Sequence, residues 1–74
     1  MKYEVVVELK KDVLDPEGRA IEESLGRLGH PVKNLRVSKR YVFELEADNE
    51  ELARTLAAKH LANPVSQVFE LRKL

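Results

Sequence analysis

The sequence has 74 residues, and its 13 lysine and arginine residues balance its 13 aspartate and glutamate residues, so the net charge is zero with histidine neutral. This balance disfavours binding of a polyanion such as nucleic acid, and the absence of cysteine excludes disulfides, thiolate metal sites and a thiol nucleophile. A chain of this length predicts a single domain, residues 1–74, that buries only roughly 60% of the surface of the unfolded chain. Because association stabilises small cores, we expect the protein to oligomerise.

The sequence also carries signals about its compartment. No stretch reaches the ~18 apolar residues of a membrane span, and the chain enters a strand-like run at Lys2 without the basic and apolar regions of a signal peptide. The lack of cysteine fits a reducing compartment. We therefore expect a cytoplasmic protein with no membrane partner.

The first third of the chain predicts a strand and then a helix. Residues 2–10 alternate between apolar and polar side chains, which is typical of a half-buried strand. Asp15 can cap a helix, and Pro16 suits its first position. The helix is predicted over residues 16–28, and Gly29 suits the left-handed position after its end. Its apolar stripe consists of Ile21, Leu25 and Leu28.

Two further glycines lie inside this predicted helix. Gly18 falls on its buried side, which indicates a close approach by another backbone segment. Gly26 falls on its outer side, where glycine costs about 1 kcal/mol relative to alanine. No packing reason for Gly26 is visible in the sequence.

The remaining two thirds predict two strands, a helix and a last strand. Residues 32–37 and 41–46 form extended runs, joined by a predicted hairpin turn at Ser38-Lys39-Arg40. Asp48 and Glu51 have capping-box spacing, so a second helix is predicted to begin at Asp48. Asn63-Pro64 ends that helix, and residues 65–71 form the last predicted strand.

This βαββαβ order predicts an α+β fold. Short connections and right-handed crossovers fold it most simply into a ferredoxin-like two-layer sandwich, with a four-stranded antiparallel sheet and both helices on one face. The other face of the sheet would then collect Val6, Val42 and Val68 among charged side chains. These valines fit two interpretations equally well: a self-association surface, or scattered surface residues.

The residue types that carry chemistry form no recognised active site. His30 is predicted in a turn and His60 on a helix, with no carboxylate or cysteine at a metal-ligand spacing, and for His60 a packed histidine at the edge of the core is favoured over a catalytic one. Lys39 and Arg40 could contact an acidic partner, although paired cations at a turn more often only keep it hydrated. The sequence thus predicts no catalytic, cofactor-binding or metal-binding residues in this chain.

Two other functions share the predicted element order. RNA-recognition modules stack bases on aromatic side chains of their central strands, but Tyr3, Tyr41 and Phe43 would lie under the helices here, and the open face is rich in glutamate. A dimeric small-molecule-sensing module, with its ligand at the dimer seam, stays open as the alternative.

Three blocks of the sequence resemble one known family. Residues 11–18 (KDVLDPEG), followed by Ala20-Ile21, resemble the start of PurS, the small subunit of phosphoribosylformylglycinamidine (FGAM) synthase. A second block consists of Val37, Lys39 and Phe43-Glu44-Leu45, and a third of Leu61-Ala62-Asn63-Pro64-Val65. The resemblance covers nearly the whole chain, with one departure at Ser38, where many relatives have glycine.

The resemblance implies a partner protein in a ligase complex. In this family PurL binds ATP and magnesium and converts formylglycinamide ribonucleotide to the amidine, while PurQ hydrolyses glutamine to supply ammonia. PurS, as a homodimer or a tetramer, bridges the two and carries no catalytic residues. The expectation for this chain is therefore a non-catalytic subunit in purine biosynthesis.

Overall fold

A computed structural model describes all residues from Met1 to Leu74. It contains one antiparallel sheet of three strands and two helices. The elements in chain order are β1 (Lys2–Leu9), α1 (Pro16–Arg27), β2 (Ser38–Glu44), α2 (Glu50–Leu56) and β3 (Gln67–Lys73). A π-helical turn, Ala57–Leu61, continues α2.

Strand β1 is the centre of the sheet, in the order β2-β1-β3. It pairs with β2 from Lys2 opposite Glu44 to Glu8 opposite Ser38, and with β3 along its other edge. The alternation in its sequence places Tyr3, Val5 and Val7 on one face, where all three are at most 2% exposed. The predicted half-buried strand is confirmed.

Helix α2 and its π-helical turn cover this buried face. Ala53 and Ala57 have no exposed surface, and Ala62 is 8% exposed. Their small side chains let the helix approach the sheet closely over Val5 and Val7. Larger residues surround this core and stay partly exposed: Tyr41, Phe43, Leu61, Phe69 and Leu71.

The predicted four-stranded sheet is wrong, because residues 32–37 form no strand. Asn34 has a positive φ of 57°, which interrupts an extended run. Backbone N–H groups that a strand would use also bond elsewhere: Leu35 N donates to the Glu22 carboxylate and Val37 N to the Asp15 carboxylate. The predicted hairpin turn at residues 38–40 is likewise the beginning of β2.

The prediction that both helices cover one face is also wrong. α1 makes no extensive contact with the sheet or with α2. The molecule measures 49 × 24 × 13 Å along its principal axes, whereas a strand of eight residues spans only ~26 Å. α1 and the turn after it, residues 16–33, thus project beyond the sheet, and we call them the arm.

The helix ends agree largely with the sequence signals. Asp15 caps α1, Pro16 occupies its first turn, and Gly29 follows its end at φ 89°. The cap of α2 is Asn49, whose side chain accepts from Leu52 N, rather than the predicted Asp48. Neither helix has the length and hydropathy needed to cross a membrane.

Candidate interaction surfaces

The two connections that flank α1 meet at its base, where Asp15 joins them. Its Oδ1 accepts from Gly18 N at 2.9 Å, and its Oδ2 accepts from Val37 N at 2.8 Å. These backbone N–H groups, that of Gly18 above all, hold the pKa of the Asp15 carboxyl below its ordinary value. The carboxylate therefore caps the helix and ties it to the segment that leads into β2.

Arg36 makes a second set of bonds at the same place. Its guanidinium donates to the carbonyl oxygens of Val13 (3.1 Å), Lys10 (3.0 Å) and Leu9 (3.4 Å). The planar guanidinium thus holds one main-chain carbonyl at the end of β1 and two in the β1–α1 connection. The sequence does not reveal this role of Arg36, because main-chain acceptors leave no pattern in a sequence.

Gly18 completes the base of the arm. A Cβ atom at this position would lie 2.7 Å from the carbonyl oxygen of Leu35, closer than side chains tolerate. The predicted close approach of another backbone segment is therefore confirmed. We call Asp15, Gly18, Arg36 and Val37 the clamp.

The open face of the sheet, opposite α2, carries the three valines that the sequence singled out. Val42 lies opposite Glu4, Val68 lies opposite Glu8, and Val6 lies between Arg40 and Glu70. Since directly paired residues share a face, the valines form a diagonal line across the three strands. Val42 is 40% exposed and Val68 45% exposed, whereas Val6 is half-buried.

Charged side chains flank this line of valines. Glu4 is only 9% exposed, because Arg40 and Arg72 both form ion pairs with it. Lys39 and Arg40 are neighbours in β2 and therefore point to opposite faces of the sheet. The structure does not bring them together as one cationic site.

A groove runs along β2 on the other face of the sheet, beside α2. Its volume is about 430 Å³. Most of its lining is apolar, and six of its residues are Tyr41, Phe43, Leu45, Leu56, His60 and Leu61. We call it the β2–α2 groove. The predicted fold places Tyr41 and Phe43 under the helices, whereas in the structure both are only partly buried.

A hydrogen-bonded cluster at one end of the sheet, where Tyr3 of β1 lies opposite Lys73 of β3, connects these two strands with the beginning of α2. The Tyr3 hydroxyl donates to Asp48 Oδ1 at 2.6 Å and accepts from Asn49 N at 2.9 Å. The Lys73 ammonium also donates to Asp48. The bond to Asp48 raises the pKa of both Tyr3 and Lys73, and the bonds from Lys73 and Tyr3 lower the pKa of Asp48.

The histidines lie apart from each other and from these clusters. His30 is exposed after α1, and His60 is exposed in the π-helical turn, at the rim of the β2–α2 groove. No group of three or more histidine, aspartate or glutamate side chains is arranged to hold a metal ion. The structure therefore offers three surfaces for contact with other molecules. They are the apolar β2–α2 groove, the apolar side of the arm, and the charged open face of the sheet with its line of valines.

Comparison with known families assigns the chain over almost its full length. The family model described as PurS, phosphoribosylformylglycinamidine (FGAM) synthase, matches residues 2–73. The chain is similar to the PurS subunit of FGAM synthase from Thermotoga maritima, with 38% identity over 78 residues that cover 99% of this chain and 95% of the relative.

Solved structures agree with the family match. The chain superposes on Bacillus subtilis PurS with a TM-score of 0.86 and 29% identity, covering 96% of this chain and 94% of that one. It superposes on a chain in the structure of PurLQS from T. maritima with a TM-score of 0.85 and 36% identity, covering 99% and 95%. These comparisons give no support to a ligand-sensing module.

Proposed function

Because the chain belongs to the PurS family and is a subunit of FGAM synthase, we propose that it bridges the synthetase subunit PurL and the glutaminase subunit PurQ in purine biosynthesis. The observation that carries this proposal is the match to a chain of the T. maritima PurLQS structure over 99% of this chain. In this role the chain performs no chemistry itself. It holds the source of ammonia against the site that consumes it.

The proposed division of labour is the one that the resemblance to the PurS family implies. PurL binds ATP and magnesium and activates the amide oxygen of formylglycinamide ribonucleotide, and PurQ releases ammonia from glutamine. Ammonia that escapes into water at neutral pH is protonated and ceases to be a nucleophile. A subunit that holds the two sites together therefore assists ammonia transfer without a catalytic residue. Its working unit is the single domain of residues 1–74, in the cytoplasm.

The proposal includes self-association as a homodimer, with a tetramer as the larger form. Val6, Val42 and Val68 lie in one line across the open face, and charged side chains surround them. An apolar centre with a polar rim is the usual composition of a protein interface. Val42→Asp should weaken association through this face, whereas Val65→Asp, which alters a valine that is 81% exposed outside the sheet, should not.

Lys39 and Arg40 are proposed contacts with PurL or PurQ. The Arg40 guanidinium pairs with Glu4 but is still 59% exposed, and Lys39 is exposed at the beginning of β2. Either side chain can thus meet an acidic partner without rearrangement of the sheet. Lys39→Glu should weaken the complex, and Lys33→Glu, an equal change in charge in the arm, serves as its control.

Reconstitution tests the proposed function. PurL and PurQ from the same organism are assayed with ATP, magnesium and formylglycinamide ribonucleotide, with either glutamine or ammonium as the nitrogen source. We expect omission of this chain to abolish glutamine-dependent synthesis and to leave ammonium-dependent synthesis by PurL unchanged. Glutamine-dependent synthesis at the same rate without this chain would refute the proposal.

A further inference from the structure

The outer edge of β3 has no neighbouring strand, because β3 pairs with β1 alone. The bond from Leu74 N to Lys2 O marks these two residues as a hydrogen-bonded pair. In an antiparallel ladder such pairs recur at every second residue. The N–H and C=O groups of Phe69 and Leu71 therefore point away from β1, toward the free edge. Free groups on this edge repeat every ~6.8 Å along the strand.

An edge of this kind recognises an extended chain, whose own N–H and C=O groups repeat at the same spacing. Protein edges are usually protected by a proline, a bulge or a lysine. β3 contains neither a proline nor a bulge, and its one lysine, Lys73, bonds to Asp48. The edge is thus open to a further strand.

A cavity of about 360 Å³ lies at the beginning of the same edge. Its apolar lining consists of Ala58, Ala62, Pro64, Val68 and Phe69. A cavity of ~150 Å³ already holds a molecule of the size of benzene, so this one accommodates a large apolar side chain. Lys10 also lines it, and no carboxylate does. The cavity therefore suits an apolar side chain that has a carboxylate beside it.

The loop before β3, Asn63-Pro64-Val65, holds an exposed valine in a fixed position. The Asn63 side chain accepts from Val65 N at 3.0 Å, and Asn63 N donates to the side chain of Gln67 at 2.7 Å. The Asn63 carbonyl oxygen accepts from the N–H groups of Ser66 and Gln67. Val65 is nevertheless 81% exposed, more than any other large apolar side chain of the protein. An apolar side chain that is ordered before binding loses little entropy when a partner covers it.

We propose that an extended strand of a partner subunit adds to the outer edge of β3. Its backbone pairs with Phe69 and Leu71, one of its apolar side chains enters the cavity, and a neighbouring carboxylate meets Lys10. Val65 packs against the same partner, which gives a role to a side chain that contributes nothing to the core. The proposal rests on the proposed function, because the partner is a subunit of the same complex.

Amide hydrogen exchange of Phe69 and Leu71 tests the pairing directly. Both amides should exchange fast in the free chain and at least ~100-fold more slowly in the complex reconstituted with PurL and PurQ. Glu70 N–H bonds to β1 and should be slow in both samples, which provides the control. Quenched exchange with fragmentation in the mass spectrometer resolves the single amides. Fast exchange of Phe69 and Leu71 in the complex would overturn the proposal.

The same measurement distinguishes a partner subunit from a second copy of this chain. The chain alone is compared with the complex at an equal concentration of this chain. We expect protection of Phe69 and Leu71 only when PurL or PurQ is present. Equal protection in the chain alone would assign the edge to a second copy and would overturn the proposal.

A pair of variants at position 71 isolates the outward N–H group. Leu71→Pro removes this group and no bond to β1, whereas Leu71→Ala shortens the side chain and keeps the N–H. Glutamine-dependent synthesis is measured as the concentration of each variant is raised. Leu71→Pro should need at least ~10-fold more protein than Leu71→Ala for the half-maximal rate. Equal requirements for the two variants would argue against strand addition.

A second pair of variants tests the loop without touching the sheet. Val65→Asp should raise the concentration needed for the half-maximal rate at least ~10-fold, whereas Val65→Ile should not change it. If the wild type restores glutamine-dependent synthesis and Val65→Asp does so at the same concentration, the docking site is refuted and the proposed function stands. If the wild type does not restore this synthesis, the proposed function fails, and the docking site fails with it.

Discussion

Gly26 and Gly29 lie three positions apart, but only the backbone conformation at Gly29 requires glycine. Gly29 has a φ of 89° and ends α1 in the left-handed conformation, whereas Gly26 has open space around it. A side chain at Gly29 is strained whatever the space. At Gly26 a side chain meets nothing, and nothing in the structure explains why glycine is there.

These differences predict opposite effects of alanine. Gly26→Ala should stabilise the protein by about 0.5–1 kcal/mol, because alanine favours a helix. Gly29→Ala should destabilise it by about 1 kcal/mol, because of its positive φ. Gly18→Ala should destabilise it further, since its Cβ would lie 2.7 Å from the Leu35 carbonyl oxygen. Urea unfolding at one fixed protein concentration measures all three, and a destabilised Gly26→Ala would contradict this account.

The hydrogen bonds of Asp48 should make the free energy of unfolding depend on pH in both the acidic and the basic range. Its pKa is lowered by the bonds from Lys73 and Tyr3, so its contribution is present at neutral pH and is lost as pH falls through its folded pKa, below about pH 4. The pKa values of Tyr3 and Lys73 are raised by Asp48, so their contributions are lost as pH rises above about 10.

Asp48→Asn tests this dependence. The variant should unfold at a lower urea concentration than the wild type between about pH 5 and pH 9. Its free energy of unfolding should also change less with pH at both the acidic and the basic end. Glu46→Gln, which removes an exposed carboxylate nearby in the sequence, is the control. Identical profiles for wild type and Asp48→Asn would show that the cluster does not control stability.

At the scale of elements, the segment of residues 32–37 shows why a strand was predicted and did not form. Its apolar residues suit an extended conformation, and it is followed directly by β2. However, the carboxylates of Asp15 and Glu22 bond to its N–H groups, and Arg36 turns back onto the β1–α1 connection. Side chains distant in sequence thus decide the conformation of this segment.

The hydrogen bonds of the clamp predict that Arg36→Lys lowers the free energy of unfolding. A lysine ammonium lacks the planar fork that reaches the carbonyl oxygens of Leu9, Lys10 and Val13. Arg36→Lys should therefore cost about 1 kcal/mol, or roughly 4–8 °C in Tm. Arg72→Lys is the control, since the Arg72 ion pair with Glu4 is long and largely exposed. Calorimetry at one concentration compares them, and equal Tm losses would argue against the clamp.

At the scale of the whole molecule, the main feature is the extended shape, in which the arm projects beyond the sheet. Only nine of the 74 residues are buried, because the core contains a sheet and one covering helix while the arm lies outside it. A chain with so thin a core depends on association for stability. This is consistent with a subunit whose function lies in the contacts it makes.

Amide hydrogen exchange should distinguish the core of the sheet from the arm. Amides of β1 should exchange slowest, because β1 is paired along both edges. Amides of α1 should exchange faster than those of β1, because α1 makes no extensive contact with the sheet or with α2. Mass spectrometry at one protein concentration compares the two elements, and equal protection of α1 and β1 would contradict this account.

The sequence by itself determined the local features and the family. Alternation defined β1, Asp15 and Pro16 defined the beginning of α1, and Gly29 defined its end, because each signal acts on the residues next to it. The FGAM synthase family followed from three sequence blocks. Tertiary structure alone decided that residues 32–37 are not a strand, that α1 stands away from the sheet and that Arg36 holds its base. Those outcomes depend on hydrogen bonds between carboxylates, a guanidinium and backbone groups far apart in the chain, and backbone groups are the same at every position of a sequence.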